Sequence, residues 1–239
     1  MNYDVNKKYL RIDKSLLITF LSCPRLFKDT LDGKVIVPEE WYITIGGDFH
    51  EGVENFWKKV TVVEGVLFIP PLQSKNAQLN KMFENFKNLV KKKWEYSEGN
   101  LEKFYPKFVE KKFEARIEVD GWQVELVGKI DMLDMDENGD YVIVEWKTGK
   151  PDVKHKIELD FYSLLLSKLG YKVTKGVVYY PKYDVLDVYE LDDKGREEIL
   201  KILKLIIFCF ENDIFPHRYG CDCHTFIHLD KREEGKNVQ

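Results

Sequence analysis

Asp131, Glu145 and Lys147 carry the clearest chemistry in this chain of 239 residues. They lie in residues 127–150, which read V-G-K-I-D-M-L-D-M-D-E-N-G-D-Y-V-I-V-E-W-K-T-G-K. Carboxylates are hard oxygen donors suited to Mg²⁺ or Mn²⁺. Two of them converging beside a lysine is the set that metal-assisted phosphodiester cleavage needs. The ion orients a water, lowers its pKa and neutralises charge growing on the phosphate. Lys147, a compact ammonium with several donors, holds the water or the phosphorane oxygens. Lys150, in the T-G-K turn that follows, reads as a phosphate contact or a plain surface lysine.

The elements that must position these groups are two strands. Polarity alternates on both sides of Asp136-Glu137-Asn138-Gly139-Asp140, which predicts a tight antiparallel hairpin. A three-residue loop, Glu137-Asn138-Gly139, puts Gly139 in the left-handed position and pairs Asp136 with Asp140 and Leu133 with Ile143. Asp131 then faces Glu145, with Cβ atoms about 5 Å apart on one side of the sheet. Lys147 is on that same face. Ile130 opposite Trp146 and Met132 opposite Val144 make an apolar stripe on the other. A two-residue Asn-Gly turn would instead send Asp131 to the face away from Glu145. The three-residue register separates apolar from charged residues better, at the cost of Lys129 facing Lys147. A solvated hairpin with ordinary surface charges fits the same spacing, so the pattern alone is only moderately specific.

These residues resemble the PD-(D/E)xK nuclease superfamily, and within it the RecB-like branch that includes CRISPR-associated RecB-type exonucleases. Gly46-Gly47-Asp48-Phe49-His50-Glu51 resembles the branch motif G-x-x-x-H, which implies His50 as a further metal ligand. Gly128-Lys129-Ile130-Asp131 resembles G-x-I-D, and Glu145-Trp146-Lys147-Thr148-Gly149-Lys150 resembles the acidic-x-K-T-G-K motif. The branch then carries Q-x-x-x-Y on a helix, matched here by Glu158 and Tyr162, whose spacing puts both on one helical face. The resemblance implies that Tyr162 helps position substrate and that Glu158 occupies a substrate-contact position. Glu158 replaces a glutamine, and a carboxylate there repels phosphate unless a metal or a lysine balances it.

The same resemblance covers the cysteines. Leu21-Ser22-Cys23-Pro24-Arg25 is similar to an N-terminal C-P-x motif whose cysteine, in many members, joins three C-terminal ones around an iron–sulfur cluster. This chain offers Cys221, Cys223, His224 and His228 at the C-terminal end. A mixed Cys/His set suits Zn²⁺ better than iron–sulfur, which usually takes four thiolates. An iron–sulfur cluster, a vestigial site held by packing, and a disulfide stay open beside it. Cys209, within Leu205-Ile206-Ile207-Phe208-Cys209-Phe210, reads as core.

Helices are expected over residues 13–28, with Asp13 as N-cap, and over 45–60, 74–95, 155–169 and 193–212. Strands are expected over 112–119, 123–133, 141–147, 172–180 and 185–191. The fold class that follows is α/β: a mixed central sheet flanked by helices, the restriction-endonuclease-like core that the resemblance implies. A single domain is expected, with residues 1–110 as a mainly helical cap carrying His50, 111–191 as the catalytic core, and 192–239 as the C-terminal helix and Cys/His cluster. The net charge of −4 argues mildly against a bulk electrostatic binder of nucleic acid. Lys91, Lys92, Lys93, Lys103, Lys107, Lys111 and Lys112 are a candidate patch, or else a solvated face. The start lacks a signal peptide's apolar core, and no apolar run is long enough to span a bilayer. A cytoplasmic protein is expected, with no membrane partner.

The expected function is an Mg²⁺- or Mn²⁺-dependent deoxyribonuclease, an exonuclease acting on DNA ends or single strands. A helicase, a recombination protein or the CRISPR adaptation machinery is the implied partner. The alternative is a non-catalytic DNA-binding or adaptor protein that retains the fold. An enzyme acting on RNA is a third reading.

Overall fold

The computed structural model describes residues 2–36, 41–221 and 227–228. Its chain divides into two compact units: residues 1–39, 114–128 and 193–239 form one, and residues 40–113 and 129–192 the other. Two long strands, β6 (Phe108–Val119) and β7 (Trp122–Met135), run through both.

In the first unit, β1 (Tyr3–Asp4) pairs antiparallel with β2 (Tyr9–Asp13), and β2 runs parallel to the first half of β7, from Tyr9 opposite Gln123 to Asp13 opposite Val127. Asp13 then caps α1 (Lys14–Ser22), accepting the Leu16 N–H at 2.8 Å. The expected helix over residues 13–28 is in fact two. Pro24 has no N–H to continue the ladder, so the chain breaks at Cys23, which closes α1 and caps α2 (Pro24–Leu31). The short strand β3 (Val35–Ile36) pairs with β11 (Ile227–His228), which brings the backbone of His228 opposite Val35. The long helix α7 (Asp193–Asn212) completes this unit with the bounds expected from sequence.

In the second unit, helices α3 (Trp41–Trp57), α4 (Ala77–Tyr96) and α5 (Leu101–Phe104) accompany a small hairpin, β4 (Thr61–Val63) and β5 (Val66–Phe68). The rest of β7 pairs antiparallel with β8 (Tyr141–Trp146), and β8 pairs parallel with β9 (Val173–Tyr180) through the crossover helix α6 (Lys154–Ser167). The antiparallel strand β10 (Val185–Glu190) follows. Parallel and antiparallel pairings together make the mixed α/β sheet expected from the sequence.

The core of this unit is aromatic. Phe49 and Phe56 of α3, Phe83 and Phe86 of α4, Trp146 of β8 and Tyr179 of β9 form one buried cluster with Met132 and Val144. The apolar stripe expected behind the acidic face is therefore what attaches the hairpin to the helices. Gly52 permits the close approach of α3 and α4: a Cβ there would lie 2.5 Å from the Phe83 ring, which stacks on Phe49. His50 is thus set on a helix whose height is fixed by packing two residues away.

Candidate active site

The hairpin adopts the three-residue register. Leu133 faces Ile143 and Met132 faces Val144; the Asp136 N–H donates to the Asp140 carbonyl at 2.8 Å, and Gly139 has φ +80°. The regular ladder ends at Met132. One residue further, the Asp131 side chain takes over the backbone's part: its Oδ2 accepts the Trp146 N–H at 2.8 Å, and its own N–H points at Glu145 Oε1 at 3.5 Å. Both carboxylates are buried, Asp131 at 5% exposure and Glu145 at 1%. Buried charge is costly unless paired, so the pairing partners decide what this place is for.

His50 supplies the first partner. Its Nδ1 lies 2.9 Å from Glu110 Oε1 and 3.3 Å from Asp131 Oδ1. Burial alone would push the imidazole pKa down, but the two carboxylates outweigh it and raise it to about 10. His50, Glu110 and Asp131 present ligand atoms within 4.8 Å of one another, a group able to hold one metal ion. An imidazole with two hard carboxylates fits a divalent cation such as Mn²⁺. Glu145 is not part of this trio, although it lies beside Asp131. Of the ligands expected from sequence, His50, Asp131 and Glu145, the first two belong to the trio.

Glu110 was not foreseen from sequence. It sits in β6 with φ +49°, a left-handed conformation uncommon in residues other than glycine. Its carboxylate bridges His50 and Lys129, whose Nζ is 2.7 Å from Oε2. On a regular strand, Glu110 would be one more polar residue in the series Glu110, Lys112, Glu114. No sequence signal announces the local twist that aims it inward, and the expected strand began only at residue 112.

Helix α6 clamps both strands of the hairpin. Lys147 Nζ donates to Glu158 Oε2 at 2.6 Å and lies 3.6 Å from Glu145 Oε2. One turn later, the Tyr162 hydroxyl donates to the Lys129 carbonyl at 2.8 Å, and the residue is buried. Glu158 and Tyr162 therefore share one helical face, as their spacing required, and both touch protein: Tyr162 anchors the strand that carries Asp131. The like-charge pair expected of Lys129 and Lys147 is resolved by carboxylates, Glu110 for one and Glu158 for the other. Gly46 brings α3 beside the T-G-K loop, where a Cβ would lie 3.4 Å from Thr148 Oγ1, and Lys150 in that loop is exposed. Of the candidate lysine patch, Lys93 is paired with Asp134, and Lys111 lies 3.5 Å over the Phe108 ring.

A second cluster lies in the first unit. Cys23, His217 and Cys221 also present ligand atoms within 4.8 Å of one another. The Cys23 thiol is 3.9 Å from His217 Nδ1 and accepts the Leu26 N–H at the start of α2. Cys23 and Cys221 are not joined by a disulfide. Cys23 and Cys221 are expected members of this cluster, and His217 is an addition to the expected set. Cys223 and His224 lie outside the described residues, and only the backbone of His228 is placed, in β11. Cys209 is buried, which pushes its thiol pKa up, as befits a core residue.

Comparison with protein families matches residues 15–224 to the PD-(D/E)XK nuclease superfamily, and the chain belongs to it. This is a superfamily of hydrolases that use divalent metals on nucleic acids. The crystal structure of SSO0001 is similar at 17% identity, covering 83% of this chain and 75% of that one, with a TM-score of 0.42. Comparison with curated proteins found no match. Among the described residues, no helix is long and apolar enough to cross a membrane.

A divalent ion held by this trio would compete with the proton for the His50 nitrogen. In the folded chain that proton leaves only as the pH rises through about 10, so below that pH an ion must displace it. Apparent Mn²⁺ affinity is therefore expected to rise with pH below about 10, by up to about tenfold per unit, and to level off above it. Calorimetric titrations at several pH values check this, and His50→Ala is expected to flatten the slope. The same shift gives the ion-free protein a stabilising contribution that is full below pH 6.5 and lost as pH rises through about 10.

Proposed function

We propose that this chain is a metal-dependent DNA nuclease of the RecB-like kind, an exonuclease acting on DNA ends or single strands. The observation that carries the reading is the convergence of His50, Glu110 and Asp131 beside Glu145, with Lys147 on the same face. When bound, the ion supplies Lewis-acid polarisation of a phosphate and an acidified water. The chain's own groups do the rest. The Trp146 N–H fixes the Asp131 carboxylate. The Lys147 ammonium meets charge that develops on the phosphate oxygens. Lys129, more exposed than Lys147, is placed to meet a substrate phosphate from the solvent side. The nitrogen donor favours Mn²⁺ over Mg²⁺, which prefers an all-oxygen shell.

The family match runs through both units, which supports reading them as one nuclease domain. A cytoplasmic location and a helicase, recombination or CRISPR-adaptation partner complete this reading and rest on the resemblance alone. The test is cleavage of end-labelled single-stranded DNA, duplex DNA and RNA over a titration of Mn²⁺ and Mg²⁺. Shortening of DNA from an end, faster with Mn²⁺ and absent with EDTA, is expected. The non-catalytic adaptor alternative gives binding without cleavage at every metal concentration.

For the Cys/His cluster, we propose Zn²⁺ held by Cys23, His217 and Cys221, with a fourth ligand from Cys223, His224 or His228. Metal analysis of the purified protein is expected to give about one zinc per chain. A brown protein containing iron and sulfide would replace this with an iron–sulfur cluster, and a chain free of both metals would make the site vestigial.

A further inference from the structure

Glu158 stands where sequence reasoning placed a substrate contact, and its carboxylate is spent on Lys147. The ion pair is 2.6 Å long and its two side chains are only 20% and 14% exposed. Glu145 is 3.6 Å from the same ammonium. Lys147 follows directly on the end of β8, and its backbone N–H donates to the Tyr179 carbonyl of β9 at 2.9 Å. The base of the side chain is therefore fixed by the sheet, and its tip by α6.

A lysine side chain has four rotatable bonds and loses much rotamer freedom when ordered. Without a partner at its tip, the ammonium would turn toward the buried Glu145 carboxylate or out to solvent. A carboxylate acceptor adds Coulomb attraction to the ammonium's hydrogen bond, which a neutral amide acceptor lacks. Tyr162, one turn along the same face, anchors α6 to the Lys129 carbonyl, so Glu158 is itself presented from a fixed support.

From this geometry we infer that Glu158 is a positioning residue: it holds the Lys147 ammonium beside Glu145 for the reaction, and it does not contact substrate. The inference rests on the nuclease reading above. It has a second consequence. The carboxylate adds one negative charge next to the place where a phosphodiester must bind. Glutamine at this position would still accept a hydrogen bond from Lys147 and would remove that charge.

The experiment compares Glu158→Ala, Glu158→Gln and Asp131→Asn with the wild type in Mn²⁺-dependent cleavage of single-stranded DNA. Circular dichroism confirms folding of each. Glu158→Ala is expected to lower kcat by about 10- to 100-fold, the usual cost of losing a residue that orients a working group. Glu158→Gln should restore most of kcat and lower KM. In parallel, Lys147 acetylation by a small acylating reagent, read by mass spectrometry, should be faster in Glu158→Ala than in the wild type. Full activity of Glu158→Ala beside an inactive Asp131→Asn would overturn this inference and leave the nuclease reading standing. So would equal acetylation of Lys147 in the two proteins. No cleavage by the wild type on any substrate would overturn the nuclease reading, and this inference with it.

Discussion

Asp131→Asn is expected to reduce Mn²⁺-dependent cleavage by about 10³-fold or more, because a bound ion is worth several kcal/mol of charge stabilisation. The fold should survive. An asparagine can still present an oxygen to the Trp146 N–H, which Asp131 Oδ2 accepts at 2.8 Å. It also removes one negative charge from a buried place already holding Glu145 and Glu110. Relief of that crowding opposes the loss of the Asp131–His50 contact, one of the two that raise the His50 pKa, so thermal stability in EDTA is expected to change little while activity disappears. Cleavage kinetics and a melting curve on the same preparation check both halves. Wild-type rates in Asp131→Asn would remove this residue from the chemistry.

Glu110→Gln is expected to weaken Mn²⁺ binding by about 10²-fold, near the upper end of what residues around a metal contribute. Two effects act in opposite directions. The substitution removes an anionic donor from the trio of His50, Glu110 and Asp131. It also removes one of the two carboxylates that raise the His50 pKa, so the imidazole loses its proton more readily and competes less with the ion. The lost donor acts at every pH. The eased proton competition matters only below about pH 10, where His50 is protonated. The deficit relative to wild type should accordingly be larger at pH 9 than at pH 7. Calorimetry at the two pH values measures it. Equal affinities for the two proteins would show that Glu110 serves only to hold His50 and Lys129.

Much of this site was legible in the sequence because it is built on regular geometry. Period-two alternation and one glycine turn were enough to place Asp131 beside Glu145, and they gave the register that occurs. Helical spacing was enough to put Glu158 and Tyr162 on one face. What could not be read depends on irregular backbone or on distant partners. Glu110 reaches the site through a left-handed residue within a strand. The break at Cys23 follows from Pro24, yet the apolar periodicity continues across it and hides the two helices. The strands β1, β2, β4 and β5 are short and charged or flanked by turns, so they left no pattern long enough to notice. Glu158 was singled out as a departure from the motif, and its partner, Lys147, was already named. Only the fold brings α6 close enough to join them.

The most direct test of the metal site is anomalous diffraction from crystals grown with Mn²⁺. The account predicts a manganese peak among His50 Nδ1, Glu110 and Asp131 Oδ1, at the roughly 2.0–2.3 Å ligand distances of such ions. A manganese peak elsewhere, with His50, Glu110 and Asp131 still hydrogen-bonded to one another, would contradict it.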